Sequence, residues 1–189
     1  MLKVKAGDTG SFELLMKRYK RPLTNYLYRI VGNREASEDI FQEAFLRIYK
    51  FSGRYEARSR FSTYLYRIAT NLAINELKRR KIRKTVPLIH DSPEGPREDF
   101  QYLKHMQEHS EPGADEELES RERIDIVRTG LEKLPPKHRA ILMLSEFEEL
   151  PYEDIADIVG INIGTVKSRI HRAKKNLKEW LKKNELFRS

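Results

Sequence analysis

The stretch from Leu134 to Leu181, LPPKHRAILMLSEFEELPYEDIADIVGINIGTVKSRIHRAKKNLKEWL, leaves this chain few folds, because proline and glycine cut it into three pieces of helical period. Pro135 and Pro136 suit the start of a first helix, where the missing N–H would be unpaired anyway, and Ile141, Leu142 and Leu144 point inward from it. Pro151 opens the second piece. Tyr152, Ile155, Ala156 and Val159 repeat there at helical spacing until Gly160 supplies a stop. After Asn162, a residue suited to capping, Val166, Ile170, Ala173, Leu177 and Leu181 draw one apolar stripe along a last helix.

At about 100° per residue, Ser168, His171, Arg172 and Lys175 face away from that stripe, flanked by Thr165, Lys167 and Arg169. From Ile163 to Lys183 eight Lys and Arg face one acid, Glu179. Two helices joined by a short glycine-containing turn, the second presenting hydrogen-bond donors near its start, form the layout of a DNA-reading helix-turn-helix. Arginine suits a guanine edge and lysine a phosphate. The competing reading is a packing unit with a solvated basic face.

The rest of the chain narrows the class. Its 189 residues, 39% hydrophobic and 35% charged, suit one domain or two small ones of a globular protein. No apolar run approaches the ~18 residues of a membrane span, and no signal-peptide pattern opens the chain, so a cytoplasmic protein is expected. With no cysteine there is no disulfide, no thiol chemistry and no cysteine-held metal. The net charge of +8 is unevenly spread: residues 1–84 carry 20 basic and 8 acidic side chains, 85–120 carry 2 and 10, and 121–189 carry 15 and 11. Two basic ends flanking an acidic middle predict a polyanionic partner.

In the first part, Phe12, Leu15, Tyr19, Leu23, Leu27 and Ile30 keep helical spacing, with Pro22 expected to break or kink the helix. Gly32 and Asn33 mark a turn, and Ser37 is a candidate cap for a helix running to about Phe51. Ile40, Phe41, Ala44, Phe45, Ile48 and Tyr49 form its inward stripe. Asp39, Gln42, Glu43 and Leu46 form a second stripe, either a docking face for a protein or an ordinary solvated face. Then FSGRYEARSRFSTYLYRIATNLAINELKRRKIRK interleaves Phe51, Tyr55, Phe61, Tyr64 and Tyr66 with ten Lys and Arg. Bases stack on rings while cations track phosphates, so the pattern suits unpaired nucleic acid, although some of these rings must also fill a core with Leu65, Ile68, Leu72 and Leu77. Asn71 and Asn75 lie four apart, on one helical face.

From Thr85 to about Ser120, prolines, glycines and acids replace periodicity, which predicts a flexible acidic linker. His105, Glu108 and His109 spell H-x-x-E-H, a zinc-protease pattern, but an acidic segment flanked by prolines lacks the rigid helix and third ligand such a site needs. No phosphate-cradling glycine loop is present, and no spacing groups a serine with histidine and acid. A helix resumes from Arg121 to Leu134, carrying Ile124, Ile126, Val127 and Leu131. No enzyme, no cofactor and no metal site is expected.

Read together, the blocks ASEDIFQEAFLRIYK, FSTYLYRIATNLAINELKRR and the Leu134–Leu177 stretch resemble, in that order, a bacterial RNA polymerase sigma factor of the extracytoplasmic-function group, a branch of the sigma-70 family. The resemblance covers nearly the whole chain. It implies an all-α protein of two small helical domains joined by a flexible acidic linker: 1–84 like sigma region 2, 85–120 the linker, and 121–189 like sigma region 4 with the helix-turn-helix. It implies that Asp39, Gln42, Glu43 and Leu46 dock on core RNA polymerase, and that Tyr64, Asn71, Asn75 and Arg79 contact and hold open the minus-10 promoter element. Family members often have Trp where this chain has Tyr64. Thr165, Lys167, Ser168, Arg169, His171 and Arg172 would read the minus-35 element, His171 being at a variable position of the family. An anti-sigma protein is a further implied partner, and a stand-alone helix-turn-helix regulator is the alternative function.

Overall fold

The computed structural model describes residues 1–57, 59–85 and 124–184, and among them all regular structure is helical. Most of the expected linker lies outside the described residues, and with it His105, Glu108 and His109.

A short α1 (Leu2–Lys5) precedes α2 (Thr9–Val31). Asp8 starts α2, its carboxylate accepting from the Ser11 N–H at 2.9 Å, and Gly32, in the left-handed region at φ 71°, ends it. Of the two outcomes expected at Pro22, a break or a kink, the break does not occur: the helix continues through it. The turn after it is anchored by burial of Leu23, Tyr26, Leu27 and Ile30, each of which contributes roughly 1.5–3 kcal/mol and together outweigh the ~3 kcal/mol cost of the proline.

Asn33, not Ser37, caps α3 (Arg34–Lys50): its side chain accepts from the Ala36 N–H at 2.8 Å. Ser37 sits one turn inside and donates its hydroxyl back to the Asn33 carbonyl at 2.7 Å. A 3-10 turn (Ser52–Arg54) leads to α4 (Phe61–Thr85). Ile40, Phe41, Ala44, Phe45 and Ile48 of α3 close on α2 and on Leu65, Ala69 and Ala73 of α4. Tyr49 leaves the expected inward stripe; it is exposed, with its ring 4.9 Å from that of Phe12.

The second module comprises α5 (124–132), α6 (Pro136–Glu146), α7 (Tyr152–Val159) and α8 (Ile163–Lys183). Pro136 begins α6, Gly160 stops α7 at φ 66°, and the Asn162 side chain caps α8 by accepting from the Thr165 N–H at 2.7 Å. These are the punctuation marks the sequence shows. Helix α5 crosses α8 at Gly130, where an added Cβ would come within 2.8 Å of both Leu177 and Trp180. The stripe of Val166, Ile170, Ala173 and Leu181 is buried as expected. The two modules touch: α6 lies against α2, and α7 lies along α4.

Candidate nucleic-acid interface

Helix α8 turns its candidate reading face outward by burying the opposite one. Lys167, Ser168, His171 and Arg172 are exposed, and Thr165 and Arg169 are half-buried on the flanks, so all six residues expected there share one accessible surface. The Ser168 hydroxyl donates to the Thr165 carbonyl at 3.0 Å, which leaves its lone pairs to accept from a base or water. Lys167 stands 6.0 Å from the centre of the Tyr152 ring, a cation–π approach; Tyr152 itself is exposed and lies outside the core in which its spacing would put it. Lys174 is drawn to the α6 side by Glu146 at 2.8 Å, a contact that holds the Glu146 carboxyl below its ordinary value.

Sequence reading missed His138. It reaches the flank of this face from α6, where burial first, and then the charges of Arg169 and Arg172, push its imidazole below the ordinary value. Nothing in a one-dimensional pattern links it to α8, because it belongs to a different helix.

Along α4 the expected minus-10 residues form one row. Asn71, Asn75 and Arg79 are exposed at successive turns, and Tyr64 is half-buried at the head, its ring edge-on to that of Tyr55 at 5.5 Å and 5.8 Å from the Arg67 guanidinium. Glu76 carries Arg79 at 2.5 Å and Arg80 at 2.9 Å, so Arg79 has an acid to exchange for a phosphate. The other rings divide. Tyr55 and Tyr66 are buried, Phe61 packs on Tyr19 at 5.5 Å, and Phe51 is exposed between Lys50 and Arg54.

On α3, Asp39, Gln42 and Leu46 are exposed, Leu46 at 61%, while Glu43 is half-buried and binds Arg47 at 2.6 Å. A groove of about 570 Å³ runs between α3 and α4, with Asp39, Glu43 and Arg47 on one wall and Asn75, Glu76 and Arg79 on the other. Two rows that look independent in the sequence thus border one groove. A second, largely apolar groove of about 580 Å³ lies between α5, α6 and α8, lined by Val127, Leu131, Phe147 and Leu177 and rimmed by Lys174, Lys178 and Lys182. Among the described residues no group of His, Cys, Asp or Glu is arranged to hold a metal ion, and no helix is long and apolar enough to cross a membrane.

A helical module with an aromatic and amide-bearing helix, followed by a helix-turn-helix module, defines a class, and the family models agree with it. Residues 15–82 match sigma-70 region 2, and residues 124–177 match sigma-70 region 4. The chain is 33% identical over 184 residues to the ECF RNA polymerase sigma factor SigW of Bacillus subtilis, covering 95% of this chain and 93% of that one. It is 35% identical to the RNA polymerase sigma-H factor of Pseudomonas aeruginosa, covering 91% and 86%, and 35% identical to the ECF RNA polymerase sigma-E factor of Escherichia coli K12, covering 91% and 87%. The fold is shared with CnrH, solved in complex with the cytosolic domain of CnrY (TM-score 0.69, 17% identity, 97% and 96% covered). It is also shared with the sigma factor RpoE of Bartonella quintana, solved in complex with the anti-sigma factor NepR (TM-score 0.63, 20% identity, 91% and 97% covered).

The chain belongs to the extracytoplasmic-function sigma factors of the sigma-70 family. It serves promoter-directed transcription initiation, working with core RNA polymerase and promoter DNA.

Proposed function

We propose the following division of labour within that role. Residues 1–84 act as the polymerase-docking and minus-10 domain, 121–189 as the minus-35 domain, and 85–120 as the connection between them. Asp39, Gln42, Glu43 and Leu46 meet the polymerase, with exposed Leu46 as the apolar centre of a polar patch. Tyr64 stacks on an unpaired base, Asn71 and Asn75 offer amides to bases or sugar-phosphate, and Arg79 leaves Glu76 for a phosphate. Arg169 and Arg172 read base edges in the major groove, while Thr165, Lys167, Ser168 and His171 contribute further base and phosphate contacts. The protein works in the cytoplasm, performs no catalysis of its own, and is held by an anti-sigma protein, as the neighbour RpoE of B. quintana was when solved.

The observation that supports this reading is the capped α8, in which four of the six expected residues are exposed and the other two half-buried among the described residues. Run-off transcription from genomic fragments, using core polymerase with and without the chain, tests it. New discrete start sites sharing two upstream elements are expected. If start sites appear but become insensitive to replacing Arg169 and Arg172 by alanine, the minus-35 assignment fails. Tight footprinting of one promoter by the chain without polymerase would favour the stand-alone regulator.

A further inference from the structure

The segment ahead of α2 belongs to none of the three candidate rows, yet it is built into the fold. Helix α1 is only four residues long, far too short to persist in water on its own, so it exists because of what it packs on. Val4 is its buried residue, 4% exposed, and Met1, one turn earlier, is half-buried against the core. Gly7, at φ 93°, lets the chain fold back so that Asp8 can cap α2, and α1 then lies against both α2 and the 3-10 turn Ser52–Arg54.

That contact ends in one long-range hydrogen bond. Lys5 donates from Nζ to the backbone carbonyl of Tyr55 at 2.9 Å, across 50 residues of sequence. Tyr55 leaves the 3-10 turn in extended conformation, at φ −64° and ψ 130°, where no helix supplies a donor for its carbonyl. Lys5 supplies it. At the other end of the same connection Phe61 packs edge-on against the Tyr19 ring at 5.5 Å. The link between the 3-10 turn and α4 is therefore tied at both ends to residues that precede α3.

What the link carries gives the tie its meaning. The Tyr55 side chain is buried, 7% exposed, and its ring stands 5.5 Å from that of Tyr64 at an interplanar angle of 64°. Tyr64 is half-buried, with the Arg67 guanidinium 5.8 Å from its ring centre. A ring already held in one orientation gives up less rotamer freedom when a base stacks on it than a ring that has still to be ordered. Moving the Tyr55 backbone would move the neighbour that holds Tyr64.

We propose that Lys5 is a positioning residue for promoter opening: by holding the Tyr55 carbonyl it fixes the Tyr55 ring, and through it the orientation of Tyr64 toward the unpaired minus-10 strand. The inference rests on the stacking role given to Tyr64 above. Lys5 acts here through the loop and touches no DNA.

A double-mutant cycle in the full chain, assembled with core polymerase on a duplex promoter, reads this coupling as the yield of open complexes. Lys5 is exposed, so its replacement leaves the fold in place. Lys5→Met should lower the yield about fivefold with core binding unchanged, while Lys5→Arg, which keeps a donor, retains most of it. In a Tyr64→Ala background the same Lys5→Met change should have no further effect. Its effect should also leave the salt dependence of DNA binding as it was, whereas loss of a direct phosphate contact would lower that slope by about one. An equal loss in both backgrounds, a lowered salt slope, or full activity of Lys5→Met beside an impaired Tyr64→Ala would overturn the positioning role alone. Full activity of Tyr64→Ala itself would overturn the stacking assignment, and the positioning role with it.

Discussion

Helices α4 and α8 both present a row of candidate nucleic-acid contacts, but they are held in opposite ways. Helix α8 buries a single stripe and exposes the other side, so its donors form a fixed template before DNA arrives. Helix α4 is covered on several sides at once: Leu65, Ala69 and Ala73 face the first core, Thr63 and Tyr66 face the second module, and the strip through Tyr64, Asn71, Asn75 and Arg79 lies on the side left accessible. A duplex has regular edges that a rigid one-sided helix can match. An opened strand has to be held, and a narrow strip with one half-buried ring and an ion-paired arginine suits that task.

Breaking the template side should have the largest effect. Replacing Arg169 and Arg172 together by alanine is expected to lower initiation from a two-element promoter by about a hundredfold, at roughly 1–3 kcal/mol per lost base contact, with little change in core-polymerase binding. Run-off yield and a core-binding titration check this. Tyr64→Ala should cost about 1–3 kcal/mol of stacking, seen as fewer open complexes on duplex promoter and a much smaller loss on a template already unpaired at minus 10, while Tyr64→Trp restores activity. Equal losses on the two templates would mean that the ring serves the fold.

Gly130→Ala sharpens the contrast from the packing side. Its new methyl group meets Leu177 and Trp180 at 2.8 Å, so the second module should lose about 1–3 kcal/mol of stability in a denaturant titration while the first keeps its transition. The smallest effect concerns pH. Burial raises the Glu148 carboxyl above its ordinary value, outweighing the Tyr66 hydrogen bond and the charge of Arg29, and Tyr66 is itself pushed up by burial and by Glu148. The folded chain therefore holds a proton here that the unfolded chain has released. Stability should gain from this group as pH falls through the raised value and lose that gain as pH rises above it. Denaturant titrations across that range, with and without Glu148→Gln, measure it; a trend that survives the substitution belongs to another group.

The same contrast explains what was legible. The second module could be read almost residue by residue, because Pro136, Gly160 and Asn162 are local signals whose physics needs no neighbours. Along α3 and α4 the pattern was less decisive, since a ring looks the same in a sequence whether it fills a core, meets another module or waits for a base. Tyr49 was expected inside and lies outside; Tyr66 is buried, with its hydroxyl committed to Glu148. Ser37 and Asn33 were both fit to cap, and the chain chose the residue beside the glycine turn. Pro22 does not break its helix, because its local cost is smaller than the burial on the residues that follow it. The burial of Arg139 was invisible for a stronger reason: it donates to the Ile30 and Glu132 backbone carbonyls, and a carbonyl leaves no mark on composition.

The crossing of α5 and α8 at Gly130 has a practical sequel. The residue lodged against that glycine, Trp180, is the single tryptophan of a chain that also has nine tyrosines. Light absorbed at the red edge of the ultraviolet band, where tyrosine is dark, therefore excites the helix-turn-helix half alone. Its emission colour and lifetime give an unlabelled optical gauge of that half, blind to the other, by which melting, DNA contact and separation of the two modules can be followed in the native protein.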